Sequence, residues 1–216
     1  MAYIQMKNKV GVSDATLLRL PRYLKFLQSL EMKNVEYVSS TDIAEGLFLN
    51  AVQVRKDLGF VSTEGGKPKV GFNTKELIAD IESFLEYDNT HDAIIVGVGA
   101  LGKAFLGYRG FANYGLNIVA GFDVNDEVCG KTINTKQVLH ISNLKDYVKR
   151  LNIKLGIIAT PNQFAQQTAD LLIDSGIKGI WNFANTHIDV PSGIELKNED
   201  LAASLALLSM KLKSGN

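Results

Sequence analysis

The sequence predicts an α/β fold in which a small helical domain precedes a doubly wound parallel sheet. Three observations predict it. A glycine-rich turn at 97–102 lies between a short apolar run and a helical pattern. Further short apolar runs alternate with helical patterns as far as residue 183, as parallel strands covered on both faces require. Residues 16–58 have helical periodicity only, with arginines and lysines between the apolar positions.

The glycine-rich turn has the pattern of a dinucleotide-binding fingerprint. The run 92–96 predicts a strand before it, and a second apolar run, 118–122, ends at the acidic Asp123. The turn consists of Gly97, Val98, Gly99, Ala100, Leu101 and Gly102. We expect the first glycine to allow the tight turn and the second to let a pyrophosphate approach the backbone. The third glycine is expected to let the helix pack closely on the sheet.

Asp123 predicts which dinucleotide binds. A carboxylate at the end of the second strand can accept hydrogen bonds from the ribose hydroxyls and repels a 2′-phosphate, so the sequence favours NAD(H) over NADP(H). Val124 follows it and joins the candidate cofactor-binding residues. The alternative is a chance turn in a chain with 19 glycines. Because strand, helix and acid occur in register, we predict a Rossmann-like dinucleotide-binding domain.

The N-terminal part predicts a helix-turn-helix. A helix is expected over 16–30, with Pro21 near its start. Residues 39–42 provide a cap for a short second helix, and Asn50 is expected to cap a third, which ends at Leu58. Two short helices joined by a tight turn are typical of DNA-binding proteins.

Polar side chains on the third helix suit DNA. Gln53 pairs well with adenine and Arg55 with guanine, while Lys56 suits a phosphate. Residues 64–72 predict a β-hairpin, the wing of a winged helix, with Pro68 at its tip. The remaining candidate DNA-binding residues are Ser39, Ser40, Lys67 and Lys69. The alternative is a helical domain with an ordinary charged surface.

The later strands extend the dinucleotide-binding domain. The apolar run 155–160 predicts a buried parallel strand, followed by a helix over about 162–175 and a strand over 179–183. Ligands of such sheets bind at the carboxyl ends of the strands. The candidates to line the nicotinamide side are therefore Thr160, Pro161, Asn182 and Phe183. Each could instead be a core or turn residue.

Composition favours a cytoplasmic globular protein. The chain has 216 residues, of which 46% are hydrophobic and 21% charged, and no apolar run approaches the length of a membrane span. The formal net charge is zero, but residues 1–72 carry ten Lys/Arg and seven Asp/Glu. The single cysteine, Cys129, follows two acidic residues and lacks nearby partners, so we expect neither a metal ligand nor a nucleophile there.

Two other functions fit the fingerprint. A small NAD-dependent dehydrogenase would need an acid–base group, but none of the three histidines, His91, His140 and His187, has an evident carboxylate partner in the sequence. A CoA- or nucleotide-binding protein without DNA function also fits, because this fold carries CoA too. The chain ends in a segment, 201–210, that is apolar nearly all round, and such a helix is expected to be buried.

Taken together, these segments resemble the Rex redox-sensing transcriptional repressors. The similar segments are RLPRYL at 19–24, VSS at 38–40, QVRKDL at 53–58, the turn at 97–102, FDV at 122–124, TP at 160–161, ADLL at 169–172, GIKGIWNF at 176–183 and DLA at 200–202. The resemblance implies a homodimeric, non-enzymatic repressor that binds operator DNA and releases it when NADH replaces NAD⁺. The chain departs from the family at 59–62 and in the glycine pattern of the wing, which bears on wing geometry and operator preference.

The resemblance also implies a switch. The C-terminal helix is expected to swap into the partner subunit, between its nucleotide-binding and DNA-binding domains. A tyrosine and an aspartate of the family that exchange partners between redox states match Tyr108 and Asp200, and the basic member of that network falls at Lys25. The domains expected on this basis are 1–88 for DNA, 89–195 for NAD(H) and 196–216 for the dimerisation helix.

Overall fold

A computed structural model describes residues 12–85 and 91–213. The chain divides into two compact units, Met1–Asn89 and Thr90–Asn216. This boundary lies within one residue of the predicted end of the DNA-binding domain. The C-terminal segment 196–216 is part of the second unit by this division, so its treatment as a separate domain stays a prediction.

The first unit is helical with one small sheet. Its helices are α1 (Asp14–Glu31), α2 (Ser40–Leu47), α3 (Ala51–Val61) and α4 (Thr74–Leu85). Strands β1 (Tyr37–Val38) and β2 (Phe72–Asn73) pair antiparallel. Apolar side chains from all four helices form its core, and those buried most completely include Leu20, Leu27, Ile43, Val54, Leu58, Leu77 and Ile81. The helical periodicity of the sequence therefore predicts this core correctly.

Side-chain caps define where these helices begin. Ser39 and Asp42 form a capping box at the start of α2, in which each side chain bonds the other residue's backbone N–H. Asn50 caps α3, as predicted, and this helix continues three residues beyond Leu58 to Val61. Pro21 was expected near the start of its helix but is the eighth residue of α1. The helix continues through it because buried residues anchor α1 on both sides of the proline.

The second unit is a seven-stranded sheet with helices between its strands. The strands are β3 (His91–Val96), β4 (Leu116–Asp123), β5 (Thr132–Ile133), β6 (Lys136–His140), β7 (Leu155–Ile158), β8 (Gly179–Asn182) and β9 (Glu195–Asn198). The helices are α5 (Ala100–Gly107), α6 (Leu144–Leu151), α7 (Ala165–Ser175) and α8 (Leu201–Lys213), with 3-10 turns at Arg109–Tyr114, Ile141–Asn143 and Asn162–Phe164.

The strand order is β5-β6-β4-β3-β7-β8-β9, and only the β5–β6 pair is antiparallel. The chain builds one side of the sheet from β3 outwards and then returns to β7 on the other side of β3, which makes this the topological switch point. Val96 pairs with Phe122 of β4 and with Ile158 of β7, so the carboxyl ends of three central strands lie together. Separate apolar clusters cover the sheet, as a doubly wound fold requires.

The C-terminal helix α8 is exposed in a single copy of the chain. Leu205 is 67% exposed, and Met210 and Leu212 are exposed too, so the expected burial of this helix, by its own domain or by a partner subunit, stays a prediction. A single copy of the chain therefore leaves apolar surface of this helix in contact with water. Within residues 12–85 and 91–213, no helix has the length and hydropathy to cross a membrane.

The turn between α2 and α3 depends on a strained residue. Phe48 ends α2 in the left-handed conformation, at φ +55°, and its backbone N–H donates to the carbonyl oxygens of Ala44 and Glu45 in the last turn of the helix. An L residue with a Cβ adopts this conformation at a cost. The side chain is 96% exposed, so packing does not offset that cost.

We therefore expect Phe48→Gly to raise the free energy of unfolding of the first unit by about 0.5–1 kcal/mol, since the backbone strain exceeds the extra entropy of an unfolded glycine. Urea denaturation followed by circular dichroism measures it. Phe48→Ala is the matched control, because it removes the same ring but keeps the Cβ and is expected to be no more stable than the parent. A glycine variant no more stable than the alanine variant would contradict the strain argument.

Candidate functional sites

The three glycines of the turn at 97–102 have the properties that a fingerprint requires. Gly97 has φ +95°, and a Cβ there would lie 2.5 Å from the carbonyl oxygen of Ala159. A Cβ on Gly102 would collide with the carbonyl oxygen of Gly97. By contrast, a Cβ on Gly99 would meet nothing within 4 Å. Gly97 and Gly102 thus pack the turn against the sheet, and Gly99 leaves open space above the backbone.

That open space lies at the start of α5. Gly99 is the N-cap of this helix and offers no side chain to its free N–H groups. Next to it, the carboxylate of Asp123 accepts a hydrogen bond from Val98 N at 2.6 Å and another from Asn125 N at 2.9 Å. Asp123 therefore fixes the glycine turn, and its remaining lone pairs can accept further donors.

A crevice of about 440 Å³ continues from this turn. It is lined by Val96, Gly97, Asp123, Val124, Ile141, Thr160, Pro161, Phe164, Gln167, Thr168 and Leu171. The hydroxyl oxygen of Thr160 is buried without a hydrogen-bond partner among the described residues. A buried hydroxyl normally has a partner, so this one fits a ligand with a polar group at that point. The open backbone, the acid and the orphaned hydroxyl together fit a dinucleotide.

Two predicted nicotinamide residues do not line this crevice. Asn182 is fully buried, and its amide bonds Thr186 O, Asn198 Oδ1 and Ala184 N. Its polar atoms therefore join β8 to β9 and to the following loop. Phe183 packs edge-on against Phe105, with ring centroids 4.8 Å apart. The structure thus gives both residues packing roles, which sequence reasoning did not separate from ligand contact.

An aromatic cluster connects α5 with the end of β8. Trp181 stacks on Phe105 of α5, and Phe111 contacts both rings. Tyr108 lies just after α5, is exposed, and packs on Phe111 with ring centroids 4.9 Å apart. The indole N–H of Trp181 donates to Glu199 Oε1 at 3.2 Å.

Glu199 leads directly into α8. The neighbouring Asp200 is exposed, and its carboxylate accepts a hydrogen bond from Ala203 N at 2.8 Å. No hydrogen bond joins Asp200 to Tyr108 among the described residues. The third predicted switch residue, Lys25, is an exposed residue of α1 in the other unit.

The crevice contains no histidine. His187 does have a carboxylate partner, Asp189 at 3.2 Å, which sequence reasoning missed, but both side chains are exposed. His140 instead bonds the hydroxyl of Ser142. Burial, together with Asp123 and Asp126, raises the pKa of Cys129, so this thiol stays protonated at neutral pH. Among the described residues no group of three or more side chains could hold a metal ion.

A second crevice, of about 380 Å³, gathers the predicted DNA-binding residues of the first unit. It is lined by Ser39, Ser40, Thr41, Arg55, Gly66, Lys67, Pro68, Lys69, Val70, Gly71 and Phe72. The predicted hairpin is reduced to one bridge between Lys67 and Gly71, and Pro68 lies in the three-residue turn that it closes, as expected. Gln53 and Lys56 are exposed outside this crevice.

A buried carboxylate holds the helix that carries Arg55. Asp57 is fully buried in α3 and accepts two hydrogen bonds from Arg19 of α1, at 2.6 and 2.9 Å. Tyr23 donates to it at 2.7 Å and Gln53 at 2.8 Å, and the hydroxyl of Thr16 also contacts it. The sequence suggests an ordinary surface acid here, because its partner Arg19 lies 38 residues away.

The network changes the ionisation of its members. Burial alone would raise the pKa of Asp57, but the hydrogen bonds from Arg19, Tyr23 and Gln53 outweigh burial and lower it. The hydrogen bond to Asp57 raises the pKa of Arg19, and burial followed by that carboxylate raises the pKa of Tyr23. Asp57 is therefore charged and Tyr23 neutral at physiological pH.

Comparisons with known proteins cover both units. A family model described as "CoA binding domain" matches residues 88–186, and one described as "Putative DNA-binding protein N-terminus" matches residues 11–59. The redox-sensing transcriptional repressor Rex of Bacteroides fragilis is 38% identical over 97% of this chain and 94% of its own. That of Carboxydothermus hydrogenoformans is 40% identical over 94% and 97%. The relatives are repressors, which supports a regulator over the dehydrogenase alternative.

Solved structures of a Rex-family repressor, RSP, are similar to this chain over nearly its full length. RSP in complex with β-NAD⁺ and operator DNA has a TM-score of 0.88 and 35% identity, and the match covers 96% of this chain and 95% of that one. RSP in complex with β-NADH has a TM-score of 0.85 and 36% identity, with 96% and 97% covered. These structures confirm an N-terminal helical DNA-binding domain followed by a Rossmann-like sheet.

We expect Asp57→Asn to lower the free energy of unfolding of the first unit by about 3 kcal/mol at neutral pH, because a buried pair loses one charge. The pKa of Asp57 is lower in the folded state, so its contribution is complete above the unfolded value of about 4 and is lost as pH falls through the folded value. The difference between parent and variant should therefore shrink on acidification.

Urea denaturation at pH 7 and at pH 3 measures this difference. The control is Asp14→Asn, which changes an acid in the first turn of α1 and is expected to cost less than about 1 kcal/mol. Equal losses for the two variants at pH 7 would contradict the role of the buried carboxylate.

Proposed function

This chain belongs to the Rex family of redox-sensing transcriptional repressors, and we propose that it binds operator DNA as a homodimer and releases the DNA when NADH replaces NAD⁺. The observation that carries the proposal is that one chain combines an open glycine turn at Gly99 with a helix-turn-helix flanked by a basic crevice. We assign the relatives' activity to this chain because it has both the glycine turn and the helix-turn-helix.

The nucleotide is proposed to occupy the crevice of the second unit. The pyrophosphate lies over Gly99 at the start of α5, where free N–H groups and the helix dipole favour an anion. The remaining contacts come from the rest of the turn at 97–102 and from Asp123, Val124, Thr160 and Pro161. Asp123 favours NAD(H), because its carboxylate accepts the ribose hydroxyls and repels a 2′-phosphate. Asn182 and Phe183 act behind this site by fixing the end of β8.

DNA is proposed to contact α3 and the turn at Lys67–Gly71, which we interpret as the wing of a winged helix. Lys67 and Lys69 line one crevice with Arg55 and can neutralise backbone phosphates together with Ser39 and Ser40. Arg55 can instead pair with guanine in the major groove. Gln53 and Lys56 are exposed on α3, where the helix can enter the major groove. The buried Asp57 adds no exposed negative charge to this surface.

A second copy of this chain is proposed to cover α8. The exposed apolar side chains Leu205, Met210 and Leu212 support this, because water-exposed apolar helices of this kind are costly in a monomer. In the family arrangement α8 swaps into the partner, and Tyr108, Asp200 and Lys25 exchange contacts between the two redox states. Lys25 provides a point charge and not a bidentate guanidinium, so its contact is weaker than an arginine's.

The switch is a shift between two dimer geometries. NADH releases DNA only if it binds the DNA-incompetent dimer more tightly than the competent one. A tenfold loss of DNA affinity requires about 1.4 kcal/mol of such differential binding. The uncharged reduced nicotinamide is easier to bury in an apolar crevice than the cationic oxidised ring, which gives the effect its sign.

We expect NADH to weaken DNA binding at least tenfold relative to NAD⁺. Duplexes selected from a random pool by the chain itself, in the presence of NAD⁺, supply the operator, and fluorescence anisotropy then measures DNA affinity with each nucleotide. Selection of no duplex, or equal affinity with NAD⁺ and NADH, would contradict the proposed function.

Two variants separate the sites in the same experiment. Gly99→Ala fills the open space above the turn, so it should weaken NADH binding about tenfold and leave DNA binding without nucleotide unchanged. Arg55→Ala should weaken DNA binding by a similar factor and leave NADH affinity unchanged.

The dimer is tested separately. Leu205→Glu adds a charge at an exposed position of α8, so a monomer would tolerate it, whereas a dimer formed through α8 should dissociate. Analytical ultracentrifugation measures the mass. The matched control Leu151→Glu, at an exposed leucine of α6, should leave the dimer intact. A parent chain that sediments as a monomer would contradict the homodimer.

A further inference from the structure

Val52 is an apolar residue with no evident role in folding. It is the second residue of α3, two positions after the capping residue Asn50, and is 72% exposed. The β-branched valine is not a favourable helix former, and at this position it contributes little to the core. Its neighbours Val54 and Leu58 are buried, so Val52 lies on the opposite, solvent-facing side of the helix.

The groups around Val52 belong to a surface that suits DNA. Arg55 and Lys56 are exposed, and the only acid of α3, Asp57, is buried and paired with Arg19. The exposed charges of this helix are therefore positive, which complements the phosphates that border the major groove. The residues that reach base edges from such a helix lie at its N-terminal end, where Val52 is found.

The neighbouring Gln53 is oriented by the buried network. Its Nε2 donates to Asp57 at 2.8 Å, while its Oε1 makes no hydrogen bond among the described residues. The free oxygen can accept from the N6 amino group of adenine or the N4 amino group of cytosine. Among the four bases only thymine offers an apolar group, its C5 methyl, in the major groove. Adenine and thymine pair with each other, so these two residues together fit an A·T pair.

We propose that Val52 is a specificity-determining residue that contacts the C5 methyl group of a thymine in each half-site of the operator. This inference rests on the proposed function. A valine side chain neither donates nor accepts a hydrogen bond, so it adds nothing to phosphate binding. Its contribution is confined to the sequence of the DNA. Removal of that methyl contact should cost about fivefold in affinity, which corresponds to one methyl group buried from water.

The test is a double-mutant cycle that combines substitution of Val52 with removal of the thymine C5 methyl group. Operator duplexes are selected with the parent chain in the presence of NAD⁺, and each dT is then replaced singly by dU, which lacks only the C5 methyl. Fluorescence anisotropy gives the affinity of each duplex. For the parent chain we expect a loss of about fivefold at one thymine of each half-site. For Val52→Ala the same replacement should cost less than twofold, because the contact is already absent.

Two further variants make the result specific. Val52→Thr keeps one of the two methyl groups and should retain part of the penalty. Met32→Ala truncates an apolar residue that is 80% exposed at the end of α1, outside the helix-turn-helix, and should retain the full penalty. Circular dichroism checks that each variant is folded. We expect all of them to fold, because the side chains of Val52 and Met32 are exposed in the parent chain.

The outcomes distinguish a failure of the proposed role of Val52 from a failure of the proposed function. A dU penalty that persists unchanged in Val52→Ala, or the absence of any dU penalty with the parent chain, would overturn the role of Val52 while sequence-specific binding remains. If the parent chain selects no duplex, the proposed function itself fails and this inference fails with it.

Discussion

The buried carboxylate of Asp57 is the interaction on which the DNA-binding surface depends. It joins α3 to α1 through Arg19 and Tyr23, and it also holds the amide of Gln53. A charge without these partners would be too costly to bury, so helix orientation and ionisation are coupled. The same arrangement removes the only acid of α3 from the surface and leaves positive charge there. One buried group thus determines both the placement and the electrostatics of the proposed recognition helix.

The glycine turn imposes the corresponding constraint in the second unit. Gly97 and Gly102 are required for packing, because a Cβ at either position would meet backbone oxygen. Gly99 is different, since its missing side chain leaves open space. Asp123 then links the two functions by bonding Val98 N while it faces the crevice. The proposed nucleotide site is therefore formed largely by backbone, whose position is set by packing on the sheet and not by flexible side chains.

The sequence predicts strands β3, β4, β7 and β8, the helices α1 to α3 and α7, and their caps in the first unit, because these depend on local periodicity and on residues a few positions apart. It predicts Ser39, Asn50 and Pro68 correctly for this reason. The helices α4 and α6 and the short strands at the edges of the sheets were not predicted. Contacts between distant residues leave no local pattern. The Arg19–Asp57 pair was missed on this account, and Asn182, which bonds Asn198 across two strands, was placed with the ligand-binding residues. For α8, apolar composition indicates that the helix is covered but not by which chain, and only the family resemblance points to the partner subunit.

Trp181 makes the fluorescence of this chain specific to one place in the fold. It is the only tryptophan of the chain, so intrinsic emission excited at the indole band has a single source. Its ring stacks on Phe105 of α5, and its N–H bonds Glu199, the residue before the one that caps α8. The emission therefore reports on the junction between the proposed nucleotide-binding helix and the C-terminal helix. The chain carries its own optical probe at that junction, and no external label is needed to follow rearrangements there.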